Sequence, residues 1–212
     1  MSASSQPTST VTAFLDLATL VALTAALIYT AGWSYAWRYF AHFQIGLLAL
    51  EIPKEYYFVY GFWVFRDWRW LALAYLLVTL LVVWGKPYLV QHAHWVRAAE
   101  LPLVLALFVL VSWMGVGTGR QHFQAQRDSD FPAMPRVRVW LKPTPGEEAS
   151  MIELAAALPQ GCHRLLLQNH STLFVFRSRP GAFPVFPAVV ALPVAEVRAL
   201  RVLPQFRSCE EE

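Results

Sequence analysis

The sequence is short of charge, and the charge it has is dispersed. Charged residues make up 15% of the 212 residues, against 57% for hydrophobic ones. That composition is too apolar for an ordinary soluble domain of this length. The formal net charge is only +3 and the arginines are scattered singly. We therefore expect neither a nucleic-acid-binding stripe nor a polybasic lipid-binding patch, and no nucleic-acid partner.

Cysteine and lysine are also scarce. The two cysteines, Cys162 and Cys209, match no metal or redox motif, and a disulfide between them is possible only in an oxidising compartment. Lysine occurs only at Lys54, Lys86 and Lys142, whereas arginine is frequent. This usage is typical of a GC-rich bacterial genome. No catalytic signature is present, and no cofactor is expected.

Three stretches of the N-terminal half are almost free of charge, and a membrane-spanning helix needs about 20 such residues. Residues 12–31 and 101–119 are of full length, and the second of these carries Pro102 near its start, where proline suits a first helical turn. Residues 70–85 are shorter, but Arg69 and Lys86 can lie along the apolar boundary with their charged groups in water. The sequence therefore predicts three spans after a disordered tail over residues 1–11.

Residues 33–68, between the first two predicted spans, are rich in tryptophan, tyrosine and phenylalanine. Such rings are enriched where a membrane meets water. The uninterrupted apolar run within this segment, Tyr56–Phe65, is too short to cross a bilayer. We expect an interfacial or re-entrant segment with a helix that begins at Pro53. A further crossing is the alternative, and it would reverse the predicted orientation.

The chain changes character after Arg120 and becomes polar before a run of short strand-like segments. Alternation in PRVRVWL predicts a half-buried strand, and HRLLLQ, TLFVFRS, PVFPAVVAL and VRALRVL are four more. A helix is expected over Glu147–Leu158, because alanine, leucine and glutamate favour helix and Pro159-Gln160-Gly161 ends it. The predicted fold class is a membrane α-helical protein with a small C-terminal β-rich (α+β) domain over residues 131–207, either a barrel or a sandwich.

The distribution of basic residues predicts an orientation. With three spans, the first loop and the C-terminal domain share one side of the membrane. That side carries eight arginines and lysines near the spans and the other side carries two. The positive-inside rule then places the N-terminus outside and the C-terminal domain in the cytoplasm of a multi-pass inner-membrane protein.

Asp16 and a histidine pair are the polar groups of interest near the spans. Asp16 is the one acid inside a predicted span, where an ionisable group suggests a proton or ion site. It lies near the helix end, so a carboxylate that reaches headgroup water is the alternative. His92 and His94 are candidate metal ligands. On a helix this spacing directs the two rings to different faces, and zinc needs three or four ligands, so no metal site is predicted.

His42, Glu51 and Glu55 are the candidate residues for catalysis. A carboxylate pair beside a histidine could activate water, as in membrane hydrolases. Helix capping and ion pairing with Lys54 or Arg38 explain the same residues equally well. No catalytic residue is therefore assigned.

Two further pairs suggest contacts. Arg177 and Arg179 share a strand face and could bind phosphate or an acidic peptide, although a solvated face is the usual fate of such a pair. Gly115 and Gly119 form a GxxxG motif that allows close helix approach, within one chain or between two.

The overall layout resembles a known class of proteins. The residues that carry the resemblance are GWSYAWRYFAHFQIGLLALEIPKEYYFVYGF and, after the last helix, MPRVRVWL, RLLLQNHSTLFVFR and VVALPVAEVRALRVLP. The chain resembles uncharacterised bacterial integral membrane proteins with N-terminal transmembrane helices and a small C-terminal β domain. The resemblance is one of pattern over most of the chain and implies no activity.

The expected function is that of a non-enzymatic inner-membrane protein. Its β domain would bind a protein partner or dock against its own helices. One alternative is an oligomeric channel or transporter subunit, which would have to oligomerise because three helices with so few polar groups cannot form a polar path alone. The other alternative is a membrane-embedded hydrolase that uses His42, Glu51 and Glu55.

Overall fold

The computed structural model describes residues 8–70, 73–77, 80, 93–143, 148–177 and 187–203, and at residues 8–16 and 93–100 it describes the backbone alone. The chain divides into two compact units. Unit 1 comprises Met1–Ala36 and Pro53–Thr118, and unit 2 comprises Trp37–Ile52 and Gly119–Glu212. Two of the three division points, after Ala36 and after Thr118, fall within long helices.

Over the described residues, the protein is helical with a small C-terminal antiparallel sheet, as the coarse prediction stated. The helices are α1 Thr8–Ala41, α2 Lys54–Asp67, α3 Ala93–Asp128 and α4 Ala149–Ala157. Short 3₁₀ turns cover Leu47–Leu50, Leu158–Gln160 and Val194–Glu196. The strands are β1 Arg136–Leu141, β2 His163–Gln168, β3 Thr172–Arg177, β4 Val189–Pro193 and β5 Val197–Leu203.

The long helices extend past the predicted spans. Helix α1 begins at Thr8, inside the predicted tail, and continues to Ala41 instead of ending near residue 31, because its aromatic C-terminal part contains no proline or turn motif. Helix α3 likewise encloses Pro102 in its interior rather than starting there. The stretches Leu17–Ala41 and Leu101–Asp128 are long and apolar enough to cross a membrane.

The middle of the helical region fits the prediction in part. Helix α2 follows Pro53, as expected for the aromatic segment. Residues 69–70, 73–77 and 80 are helical. The rest of the predicted second span lies outside the described residues, so that span stays a prediction.

Glycines bring the helices of unit 1 into backbone contact. A Cβ atom on Gly32 of α1 would overlap the carbonyl oxygen of Tyr57 in α2, and one on Gly61 would overlap the carbonyl oxygen of Ile28. A Cβ atom on Gly115 of α3 would lie 2.5 Å from a carbonyl oxygen of α1. Small residues allow such close approach between helices, so the predicted role of Gly115 in packing within one chain is confirmed.

Polar side chains inside unit 1 bond to one another across its helices. The hydroxyls of Ser34 in α1 and Ser112 in α3 lie 2.8 Å apart. The indole nitrogen of Trp68 donates to the hydroxyl of Thr118 at 3.0 Å. These bonds satisfy polar groups that would be costly to leave unpaired in an apolar interior.

The sheet of unit 2 is strongly curled. Its strand order is β4-β3-β2-β1-β5, so β4 and β5 are its two edges although only residues 194–196 separate them in the chain. A flat sheet of this size would hold its edges about 19 Å apart. The short connection spans at most about 14 Å. The sheet must therefore bend toward a barrel, in line with the barrel alternative from the sequence.

The concave side of the sheet holds an aliphatic core. Its fully buried members come from β1, β3, β4 and the turn after α4: Val137, Val139, Leu158, Leu173, Val175 and Leu192. The turn after α4 ends at Gly161, which adopts a φ of +82°, a conformation that favours glycine. Burial of these side chains from four segments of the chain stabilises the curl of the sheet.

An aromatic cluster forms the second core of unit 2, and we define it as Phe43, Phe123, Phe131 and Phe176. Phe43 follows the end of α1, Phe123 lies in α3, Phe131 lies in the turn after α3, and Phe176 belongs to β3. Their ring centroids lie 5.0 to 5.8 Å apart. Each ring is at most 1% exposed. The cluster packs the sheet against the C-terminal ends of both long helices.

Candidate functional site

Unit 1 contains an open cavity of about 700 Å³ between α1, α2, α3 and the helical residues that follow α2. Its described lining is almost entirely apolar and includes Leu27, Phe62, Leu73 and Met114. Among the described residues, Arg69 is the one charged residue that lines it. The volume falls within the range of about 300 to 1,000 Å³ that is typical of small-molecule sites.

The environment of Arg69 differs from that of its neighbour Arg66. Arg66 pairs with Asp67 at 3.6 Å. Arg69 is exposed and, within the described part of the chain, contacts no carboxylate. Its guanidinium carbon lies 5.9 Å from the ring centroid of Trp70. This contact leaves the guanidinium N–H groups available to an anion at the cavity.

The cavity could not be recognised from the sequence. Arg69 was identified there only as the boundary of the second predicted span. The lining side chains come from four separate chain segments, and their convergence depends on tertiary packing. The one sequence signal was a lone arginine next to tryptophan at the start of an apolar stretch, which is common at any membrane boundary.

A buried ion cluster lies in unit 2 at the junction between α3 and the sheet. The carboxylate of Asp130 accepts from Arg136 at 3.1 Å and from Arg164 at 2.7 Å. Arg164 also donates to the carbonyl oxygens of Phe131 at 2.9 Å and Met134 at 2.7 Å. Both arginines are less than a tenth exposed. The cluster fastens the turn after α3 to the first two strands, and its geometry points to structure rather than catalysis.

His163 is the buried histidine of unit 2. It lies at the start of β2, opposite Val137 of β1, and is 4% exposed. Burial lowers the pKa of His163 below its ordinary value of 6.5, and the positive charge of Arg177 lowers it further. The imidazole is therefore held neutral at physiological pH. Its Nδ1 atom has no hydrogen-bond partner among the described residues.

The three residues of the hydrolase hypothesis are divided between the two units, with His42 and Glu51 in unit 2 and Glu55 in unit 1. The His42 Nδ1–H group donates to the carbonyl oxygen of Arg38 at 2.8 Å, and the ring stacks on Phe123 at 4.2 Å. Burial lowers the pKa of His42. The side chains of Glu51 and Glu55 are exposed. The hydrolase hypothesis stays a prediction.

The remaining polar candidates of the N-terminal half are described only in part. Asp16 belongs to α1 and His94 to α3, but their side chains are not described, and His92 lies outside the described residues. Over the described residues, no three histidine, cysteine, aspartate or glutamate side chains group to hold a metal ion. The ion-site hypothesis for Asp16 stays a prediction.

The candidate residues of the C-terminal half are also described only in part. Arg177 is exposed at the end of β3, where it could meet an anion, but its expected companion Arg179 lies outside the described residues. Cys162 is half-buried just before β2, and Cys209 lies outside the described residues. The anion or partner contact through the arginine pair stays a prediction.

The β5 edge of the sheet is incompletely covered. Val137 and Val139 of β1 are fully buried. Val202 and Leu200 lie directly opposite them in β5, and paired residues of an antiparallel sheet point to the same face. Nevertheless, Val202 is 55% exposed and Leu200 is 36% exposed. Within the described residues, Leu200 and Val202 are therefore incompletely covered. We call this exposed apolar surface of the edge strand the β5 seam.

The geometry thus presents two features that could receive a ligand or a partner, one in each unit. The first is the apolar cavity at Arg69, and the second is the seam at β5. Both were absent from the sequence-based candidates, because each depends on which side chains remain uncovered after folding. No family model matches the chain, and comparison with curated proteins and with solved structures gives no match.

Proposed function

We propose that the chain is a non-enzymatic, multi-pass integral membrane protein of a bacterial inner membrane whose small β domain binds a protein partner at the β5 seam. The observation that carries the proposal is the exposure of Leu200 and Val202 on a sheet face whose neighbouring positions are fully buried. A strand edge of this kind is suited to addition of a strand from another chain.

Apolar exposure in unit 1 supports the membrane part of the proposal. Leu101, Leu103, Leu105, Val109 and Trp113 of α3 are each between 57% and 70% exposed. A water-soluble protein rarely presents so much contiguous apolar surface, whereas lipid chains would cover it without cost. The proposed topology keeps three spans, with the N-terminus outside and the β domain in the cytoplasm.

The chemistry of β5 indicates which partner segment would fit. Arg198 and Arg201 are exposed on this strand, next to the exposed aliphatic side chains. Opposite charges on directly paired strands are stabilising. The favoured partner segment is therefore an extended strand that alternates apolar residues with aspartate or glutamate.

Site-specific photocrosslinking in cells tests the proposal. A photoreactive amino acid at Leu200 or Val202 should give a discrete crosslink to a second polypeptide, because these side chains face the seam. The matched control is Ile152 of α4, which is also apolar and 58% exposed but lies outside β5.

Four results would contradict this assignment. Equal crosslinking from Ile152 would show that the contact is unspecific, and crosslinks confined to the same chain would show that its own segments cover the seam. Solubility of the intact chain after removal of detergent and lipid would exclude the membrane location. Measurable turnover of a substrate by the purified protein would favour an enzyme instead.

A further inference from the structure

We propose that the cavity of unit 1 binds one phospholipid molecule, with an acyl chain in the apolar cavity and the phosphate on Arg69. This inference rests on the membrane location in the proposed function but not on the partner at β5. It assigns the first specific ligand site to the helical unit.

The lining of the cavity selects a hydrocarbon occupant. The lining side chains are aliphatic or aromatic apart from a few polar groups. Among these, the hydroxyl of Thr24 already donates to the carbonyl oxygen of Leu20 at 2.8 Å within its own helix. Water does not fill an apolar cavity, and an empty one forfeits the dispersion contacts of its walls. An acyl chain restores those contacts.

Arg69 selects the headgroup. The guanidinium carries a full positive charge and presents several N–H donors in a planar fork that matches phosphate. The described residues provide it with no carboxylate, whereas the neighbouring Arg66 has Asp67. Trp70, whose ring lies beneath the guanidinium, belongs to the residue type that is enriched at headgroup level. The charge at the cavity is therefore complementary to a lipid phosphate.

Charge complementarity also argues against other occupants. An apolar helix from a partner would cover Arg69 without supplying an anion, and an unpaired charge in such surroundings is costly. A neutral apolar metabolite would leave the same charge unsatisfied. A phospholipid supplies both the chain and the anion in one molecule.

Lipid binding to the full-length protein tests the inference. The delipidated protein in mild detergent is titrated with phosphatidylglycerol, and bound lipid is counted by native mass spectrometry. The unmodified protein should bind one molecule more tightly than the rest. Arg69→Gln should weaken that binding about tenfold or more, the loss expected for a charge-assisted contact. Arg66→Gln is the matched control and should bind as the unmodified protein does.

A second pair of variants tests the cavity itself. Ala74→Trp adds volume at a lining residue and should reduce the occupancy of the tight site while leaving Arg69 in place. Val59→Trp places the same side chain at a 44% exposed position of α2 that does not line the cavity, and it should have no effect. Arg69→Lys retains the charge without the fork and should bind with intermediate affinity. Circular dichroism confirms that each variant is folded.

The outcomes separate this inference from the proposed function. Unchanged binding in Arg69→Gln would overturn the headgroup contact, and unchanged binding in Ala74→Trp would overturn the location. Competition by inorganic phosphate as strong as that by phosphatidylglycerol would show a free-anion site. Release of the protein from membranes by alkaline carbonate would instead refute the membrane location, whatever the lipid measurements showed.

Discussion

Two arginines of the sheet, Arg136 and Arg164, share the carboxylate of Asp130 in surroundings that are largely closed to water. A buried charge is tolerated when it is paired and hydrogen-bonded. Loss of the Asp130 carboxylate charge would leave two buried guanidinium groups without this shared anionic partner. The cost of such a change exceeds that of losing an exposed ion pair.

Asp130→Asn should therefore destabilise the fold by about 3 kcal/mol, the usual penalty for breaking a buried pair from one side. Asparagine is suitable because it tolerates the positive φ of 56° at this position. Chemical denaturation followed by circular dichroism measures the change. The control is Asp128→Asn, whose side chain is 68% exposed and pairs with Arg127. A loss as small as that of the control would argue against a structural role.

His163 predicts a pH dependence of stability. Its pKa is lowered in the folded protein, mainly by burial. The unfolded chain consequently binds more protons below pH 6.5, so stability falls as the pH drops through this range and is unaffected above it. Thermal unfolding at pH 7.5 and pH 5.0 should show the loss. His163→Gln should reduce this loss of stability at low pH. The variant should not abolish the loss, because His42, whose pKa is also lowered, contributes to it as well.

The exposed His170 provides the control for this pH effect. His170→Gln should unfold with the same pH dependence as the unmodified protein. Equal pH dependence in His163→Gln and the unmodified protein would show that burial of His163 does not govern acid stability.

At the scale of elements, the contact between α1 and α3 depends on Gly115. A Cβ atom there would lie 2.5 Å from the carbonyl oxygen of Ala31, too close without a backbone shift. Gly115→Ala should lower the stability of the helical unit by about 1 to 3 kcal/mol, as overpacking does. Thermal unfolding in detergent measures the effect.

Gly117 lies on the same helix and provides a matched control. A Cβ atom at Gly117 would meet no neighbour within 4 Å. Gly117→Ala should leave stability unchanged or raise it by up to about 1 kcal/mol, because alanine favours the helical state. Equal losses from both variants would show that the close contact is unimportant.

Element types follow from the sequence better than element ends. HRLLLQ and VRALRVL correspond to β2 and β5 residue for residue, because turn signals flank their apolar runs. The end of α1 was misplaced, because no helix breaker marks it and because Tyr39 in its last turn packs against the ring of Phe123 in α3. Tertiary packing of this kind has no local sequence signal.

The candidate sites were less predictable than the fold. His42 was selected for its neighbours in sequence, Glu51 and Glu55, but in the fold it stacks on Phe123. Arg69 and Leu200 were overlooked as functional residues because arginine at a boundary and leucine in a strand are ordinary. What distinguishes them is the absence of covering groups among the described residues, which only the folded arrangement reveals.

For the whole molecule, the proposed three spans predict that the two ends of the chain lie on opposite sides of the membrane. In a Cys162→Ser, Cys209→Ser background, Ser171→Cys places a single thiol in the exposed turn between β2 and β3. We expect a membrane-impermeant maleimide to label it only after the inner membrane is opened. A cysteine introduced at Ser4 should be labelled in intact spheroplasts. The same accessibility at both sites would require an even number of spans.

The aromatic cluster of unit 2 has a consequence for how the chain is made. The rings of Phe43 and Phe123 leave the ribosome long before that of Phe176, which completes the contact from β3. The rings of Phe43 and Phe123 therefore remain uncovered until β3 has been synthesised. A fragment that begins after α3 would lack both of them, so residues 131–212 expressed alone should aggregate or be degraded, whereas co-expression with residues 1–130 should rescue them.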